Sequence, residues 1–193
     1  MSPISKDLSP IVLGLLIDTL KVLGLGVIIS RRFAVTGHVD HLLAACAQTL
    51  FALRTLRRHG LPTAALHTVF QATVVAKLAY ASPAWWGYAN AADRARLESF
   101  LRRSVLFGHR AATAPTLTSI CAAADDKLFK NIICNTQHLL HPLLPPPRDD
   151  HYELRNRTHH NLILPIRTSS VNNCNFIIRM LYKDMNYTSL SQS

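Results

Sequence analysis

Apolar residues recur at intervals of three and four positions through the middle of the chain, and this spacing constrains the fold more than any other feature. The first such stripe comprises Val39, Leu42, Leu43, Cys46, Leu50, Leu53 and Leu56. Side chains at this spacing share one face of a helix. Thr36 is placed to cap that helix, and Arg57 and Arg58 followed by Gly60 are typical of its end. We therefore predict a helix from Thr36 to this stop.

Two further helices are predicted by the same signals. Pro62 suits the first position of the second helix. That helix should end before Ser82-Pro83, because the residue before a proline avoids helical backbone angles. Asn90 is a suitable cap for the third helix, with Asp93 in its first turn, where a negative charge favours the helix dipole. Gly108 marks its end.

Helical patterning resumes after residue 115 and ends in a run of prolines. Thr116–Ala122 is predicted to be a short turn of helix and Asp125–His141 a fourth helix, closed by prolines at 142 and 145–147. Beyond them lies a basic, asparagine-rich tail with one short amphipathic element, Asn175–Lys183. Leu and Ala carry the apolar content, and aromatic residues are only 7% of the chain, which favours helices over sheets.

The N-terminal segment has a different pattern. Val22–Ser30 is rich in β-forming residues and predicts a strand with no evident partner. It overlaps Pro10–Ile29, an apolar stretch long enough to span a membrane. Asp18 and Lys21 fall at its middle, where each costs roughly 2.5–3.5 kcal/mol at a bilayer centre. We therefore favour a buried strand or hairpin, with a membrane anchor as the alternative.

Together these patterns predict a mainly α fold, an antiparallel helical bundle with a short N-terminal β segment and an irregular C-terminal tail. The length of 193 residues suits one domain with appendages. The predicted organisation is a segment without assigned structure at 1–20, a strand or hairpin at 21–35, a helical domain at 36–144, and a basic, loosely ordered tail with a short helix at 145–193.

The net charge of +10 is concentrated in one part of the chain. Residues 31–110 carry eleven Lys and Arg side chains against three carboxylates, and so hold +8 of it. Most are arginines, whose planar forks suit phosphate oxygens. A solvated surface, a nucleic acid or a membrane surface is each compatible with such a charge. The candidate phosphate contacts, chosen by charge and predicted exposure, are Arg54, Arg57, Arg58, Arg94, Arg102, Arg103 and Arg110.

Patterns for catalysis or metal binding are weak. The pair Asp125-Asp126 lies at a predicted helix start, where it would complement the dipole. No aspartates of the kind that hold the two metal ions of a polymerase are evident. Cys121, Cys134, His138 and His141 are weak zinc candidates. The last three share a face of the predicted helix, but their spacing is not a standard zinc-finger one, so we favour a packed helix face and predict no cofactor.

Two further residue types bear on partners and compartment. Trp85 and Trp86 are possible base-stacking residues, although adjacent tryptophans in a tight turn more often pack a junction between helices.

None of the four cysteines forms a Cys-x-x-Cys pair, and no clean signal peptide precedes them. We therefore predict reduced thiols and a nuclear or cytoplasmic protein that is not secreted.

Several stretches, in matching order, resemble the region downstream of the catalytic core in jockey-like non-LTR retrotransposon reverse transcriptases. The strongest is Ala76–Tyr88 (AKLAYASPAWWGY), followed by Asp93–Arg103 (DRARLESFLRR). Shorter ones are KVLG at 21–24, ISRRF at 29–33, HVDH at 38–41, LRTLRRHG at 53–60, ADDKLF at 124–129, NTQHLLHPLLP at 135–145, YELRNR at 152–157 and NFIIRMLYKD at 175–184. The resemblance covers roughly residues 21–184, and its specificity lies in the combination.

This resemblance implies a fragment of an RNA-directed DNA polymerase. Residues 21–35 would be the end of the palm, and the helical region a thumb that grips the template–primer duplex. The fingers, the palm and its Mg²⁺-binding aspartates are absent, so no catalytic residue carries over and the chain alone is expected to be inactive. Its expected partners are an RNA–DNA or DNA duplex and the missing fingers and palm. The alternatives are a non-functional transposon relic and a membrane-associated helical protein anchored by residues 10–29.

Overall fold

The computed structural model describes residues 19–22, 26–148 and 160–183. This part of the chain is mainly helical, which confirms the mainly α character of the predicted fold, while the antiparallel bundle stays a prediction. Its elements are β1 (Thr19–Val22), β2 (Val27–Ser30), α1 (Thr36–Arg58), α2 (Thr63–Phe70), a π-helical turn (Gln71–Val75), α3 (Ala76–Ala79), α4 (Ser82–Trp85), a 3-10 turn (Trp86–Tyr88), α5 (Ala91–Leu106), α6 (Leu117–Cys134), a second 3-10 turn (His141–Leu143), α7 (Ser170–Cys174) and α8 (Phe176–Leu181).

The described chain divides into two compact units. Unit 1 comprises the described residues up to Lys77 together with Ala89–Ala112, and it contains the β-strands, α1, α2 and α5. Unit 2 comprises Leu78–Tyr88 and the described residues from Thr113 onward, with α4, α6, α7 and α8.

In unit 1 the two strands form an antiparallel hairpin in which Thr19 pairs with Ser30 and Val22 with Val27. A hairpin is one of the two forms predicted for this segment, whereas the expectation that Val22–Ser30 is a single strand without a partner is wrong, because Val22 belongs to β1 and pairs with Val27. Gly26 has a φ of +64°, a left-handed angle that glycine adopts at little steric cost, and it precedes the returning strand. The rest of the predicted membrane segment lies outside the described residues. Among the described helices, none is both long and apolar enough to cross a membrane.

Helix α1 packs against α2 and α5 in unit 1. Five residues of the predicted stripe are buried, whereas Leu43 is half-buried and Leu56 is exposed near the helix end. The helix ends at Arg58, and Gly60 follows with a φ of +90°, as predicted. Thr36 does not act as a side-chain cap; instead its Oγ1 donates to Asp93 Oδ2 at 2.8 Å and ties the start of α1 to α5.

The second and third predicted helices also form. Pro62 immediately precedes α2 instead of opening it, because the helix begins at Thr63. Asn90 caps α5 as predicted, since its Oδ1 accepts from the Asp93 backbone N–H at 2.7 Å. Helix α5 ends at Leu106, and Gly108 follows with a φ of +69°, as the sequence indicates.

In unit 2 the two predicted helices after residue 115 are one continuous helix, α6, which ends at Cys134 and not at His141. Asn135 adopts extended backbone angles and terminates it. Helix α8 lies within the predicted element Asn175–Lys183 and packs on α6. One hydrophobic cluster there consists of Phe129, Met180 and Leu181, with partly buried neighbours that include Leu162 and Leu164. The short helix predicted for the tail is therefore present, and it packs on α6.

Candidate nucleic-acid interface

Three of the seven predicted arginines meet in one place in unit 1. Arg54, Arg57 and Arg58, from the last turns of α1, line an open cleft of about 380 Å³ together with Phe107 and His109, which follow α5. The arginines lie three and four positions apart, a spacing that keeps helical side chains near one another. Because α1 and α5 pack together, their C-terminal ends close on this shared space. We call it the α1–α5 cleft.

Two contacts hold the arginines in the α1–α5 cleft. The Arg57 Nη1 donates to the backbone oxygen of Phe107 at 2.7 Å, and this bond joins the ends of the two helices. The guanidinium of Arg54 lies 5.4 Å from the centroid of the Phe107 ring, within the range of a cation–π interaction. Phe107 is 53% exposed, so much of its ring faces solvent beside these cations.

The charge of the α1–α5 cleft is not neutralised locally. Within the part of the chain that the structure describes, Arg54, Arg57 and Arg58 form no ion pair with a carboxylate. Arg96 of α5 is the contrasting case, because it pairs with Asp40 at 2.5 Å and with Asp93 at 3.5 Å. Basic residues in a last turn also stabilise a helix through its dipole, which accounts for Arg57 and Arg58 individually. Their convergence with Arg54 and His109 is an additional feature that suits an anion.

His109 is the most deeply placed group of the α1–α5 cleft, with only 1% of its surface exposed. Burial lowers the pKa of its imidazole, and the positive charges of Arg54 and Arg57 lower it further, with a contribution from His67. The ring Nδ1 has no hydrogen-bond partner among the described residues. A buried polar atom without a partner is costly, and a ligand that supplies one removes that cost.

The other predicted arginines are placed differently. Arg102 and Arg103 are exposed on α5 and form no ion pair among the described residues, and Arg103 lies one helical turn before Phe107. Arg94 is half-buried. Arg110 is only 7% exposed, so its predicted exposure is wrong. Arg110 directly follows the buried His109. Burial lowers the pKa of the Arg110 guanidinium, and the nearby negative charge of Glu98 opposes that shift.

The remaining sequence candidates are not assembled into sites. Trp85 and Trp86 are both buried, with their rings 5.7 Å apart in an edge-to-face arrangement, as the packing interpretation predicts. The helical face proposed for Cys134, His138 and His141 does not exist, because α6 ends at Cys134. Among the described residues, no three His, Cys, Asp or Glu side chains are grouped to hold a metal ion.

Sequence reasoning found the arginines of the α1–α5 cleft but missed Phe107 and His109. They flank Gly108, which marks the predicted end of the third helix, and neither carries a motif of its own. Their only sequence signal is the adjacent Gly108, whose left-handed turn redirects the chain at the end of α5.

No protein-family model matches the chain, and neither the curated proteins nor the solved structures include a match.

Proposed function

We propose that this chain binds an RNA–DNA or DNA duplex through its backbone phosphates, as the thumb-like part of a non-LTR retrotransposon reverse transcriptase. The observation that carries the binding proposal is the α1–α5 cleft, where three arginines converge in an open depression and have no carboxylate partner among the described residues. Arginine forks bind phosphate oxygens in pairs, and phosphate contacts dominate the affinity of such proteins. The assignment to a reverse transcriptase rests on the ordered sequence resemblance.

The proposed role is to hold the duplex, while a separate palm carries the chemistry. Arg54 is oriented by the Phe107 ring and Arg57 by the Phe107 carbonyl, so both guanidinium groups are partly ordered before a ligand arrives. Ordering in advance reduces the entropy lost on binding. Arg102 and Arg103, exposed on α5, add positive charge to unit 1. Metal-dependent polymerisation would require the metal-binding aspartates of a palm.

The test is the salt dependence of duplex binding by the full chain, measured by fluorescence anisotropy with a labelled RNA–DNA duplex. Each phosphate neutralised contributes about −0.9 to the slope of log affinity against log salt, so three contacts contribute about −2.7. Between about 50 and 200 mM salt, that slope corresponds to a loss of roughly 40-fold in affinity. Replacing Arg54, Arg57 and Arg58 together by Gln should remove about this part of the slope.

The matched control removes three positive charges elsewhere. Arg31, Lys127 and Lys130 are exposed, and none forms an ion pair among the described residues. Their replacement by Gln lowers the net charge by the same amount but should leave most of the slope in place. Equal losses in the two triple variants would show diffuse attraction without a site. Binding that does not respond to salt would refute the proposal.

The reverse-transcriptase assignment has its own test in the genomic DNA around the coding sequence. We expect an upstream, in-frame palm with paired metal-binding aspartates. A different kind of upstream sequence would leave the binding proposal standing and remove this assignment.

A further inference from the structure

His109 occupies a position in the α1–α5 cleft that a structural role does not explain. It is almost fully buried, yet it lines an open depression together with three arginines. Its backbone N–H donates to the Ser104 carbonyl at 2.9 Å, which anchors the residue to the end of α5. The Nδ1 of its ring has no hydrogen-bond partner among the described residues. An apolar side chain would fill the same space without that cost.

Among the described residues, the groups that shift the pKa of the His109 imidazole, besides its burial, are cationic or titrate to a cation. Arg54 and Arg57 approach from α1 and His67 from α2, and all three disfavour a proton on the imidazole, as burial also does. These effects favour the neutral form of the ring. A phosphate bound among the arginines reverses this balance, because its negative charge stabilises an imidazolium and its oxygens accept the N–H bond.

We propose that a phosphate group of the bound nucleic acid enters the α1–α5 cleft far enough to accept a hydrogen bond from His109, and that binding is coupled to the uptake of one proton. The inference rests on the proposed function and adds to it the depth of the phosphate site and its regulation by pH. A water molecule takes about 30 Å³ in the liquid, so a cleft of about 380 Å³ has room for a phosphate with several waters.

The expected effect is a tightening of duplex binding as the pH falls. A single coupled proton changes affinity by at most about tenfold per pH unit, between the pKa of the imidazole in the free cleft and that in the complex. The experiment measures affinity of the full chain for a DNA duplex without terminal phosphates from about pH 8 to 5.5, which spans the ordinary imidazole range of about 6.5. Phosphodiesters keep their charge throughout, so the probe itself does not titrate.

Variants then identify the histidine responsible. His109→Asn should bind with little pH dependence, whereas His59→Asn should retain the wild-type response. NMR titration of the imidazole C–H signals of the wild-type protein provides a second readout that does not depend on a variant that folds. The His109 titration midpoint should move upward when the duplex is added.

The outcomes separate this inference from the function on which it rests. Salt-dependent, arginine-dependent binding with an unchanged His109 midpoint overturns the proton coupling and leaves the proposed function intact. A pH response of the same size in His109→Asn does the same. Absence of salt-dependent binding overturns both.

Discussion

Two neighbouring carboxylates of α6 allow a sharp test of how burial determines the contribution of an ion pair. Asp125 accepts two bonds from Arg179, at 2.7 and 3.4 Å, and Asp126 pairs with Lys183. The sequence suggested that both acids complement the start of a helix, but α6 begins at Leu117, so that interpretation is wrong. Instead, both carboxylates tie the C-terminal residues of unit 2 to the middle of α6.

The two pairs differ in their exposure to solvent. The side chains of Asp125 and Arg179 are 5% and 25% exposed, whereas those of Asp126 and Lys183 are 44% and 35% exposed. Removing one partner of a buried pair leaves an uncompensated charge and costs about 3–5 kcal/mol. Burial raises the pKa of Asp125 in spite of Arg179, and Arg179 is a quarter exposed, so we expect the lower end of that range. An exposed pair contributes about 0–1 kcal/mol.

We therefore predict that Asp125→Asn lowers the free energy of unfolding of unit 2 by about 3 kcal/mol, and that Asp126→Asn lowers it by less than about 1 kcal/mol. Urea denaturation followed by tryptophan fluorescence reports on this unit, because both tryptophans of the chain lie in it and are buried. With an m-value of about 2 kcal/mol/M, Asp125→Asn should move the midpoint by roughly 1.5 M.

Either of two results would refute this reasoning. Equal midpoint shifts for the two substitutions would mean that burial does not distinguish the pairs. A neutral Asp125→Asn would mean that the charge of Arg179 is satisfied without the carboxylate. Replacing the pair with apolar residues, as in Asp125→Leu with Arg179→Met, should recover much of the loss, because no charge is then left buried.

Two other perturbations follow from the packing. Gly87→Ala should destabilise the protein by about 1–3 kcal/mol, because a Cβ there would lie 2.2 Å from the Cys174 backbone oxygen. The control, Gly37→Ala, lies in open space within α1 and should be neutral or slightly stabilising. Thermal unfolding followed by circular dichroism measures both, and equal effects would contradict the packing argument. Burial, with a smaller effect from His41, lowers the pKa of His38 in the folded protein. Below the ordinary histidine pKa of about 6.5, the unfolded chain therefore binds more protons than the folded one. The free energy of unfolding should fall as the pH drops through that value. His38→Gln should flatten that dependence in urea titrations at several pH values, and an unaltered slope would exclude His38 as its source.

Much of the secondary structure is encoded in short stretches of sequence. The end of α1 at Arg58 and Gly60, and the cap of α5 at Asn90, depend on side chains and backbone angles within a few residues. Sequence reasoning located them for that reason. It failed at the end of α6, where the apolar pattern continues past Cys134 but Asn135 leaves the helix. Periodicity alone does not show where packing stops supporting a helix.

What the sequence determined by itself was the helical character of the chain, the concentration of arginine in residues 31–110, and the positions of most helix ends. Only the tertiary structure decided which charges remain available. Arg57 meets the Phe107 carbonyl 50 positions away, and Asp125 meets Arg179 54 positions away. Such pairs depend on how helices pack and not on local pattern. Packing therefore buried Arg110, paired Arg96 with two acids, and brought Arg54 and His109 into one cleft.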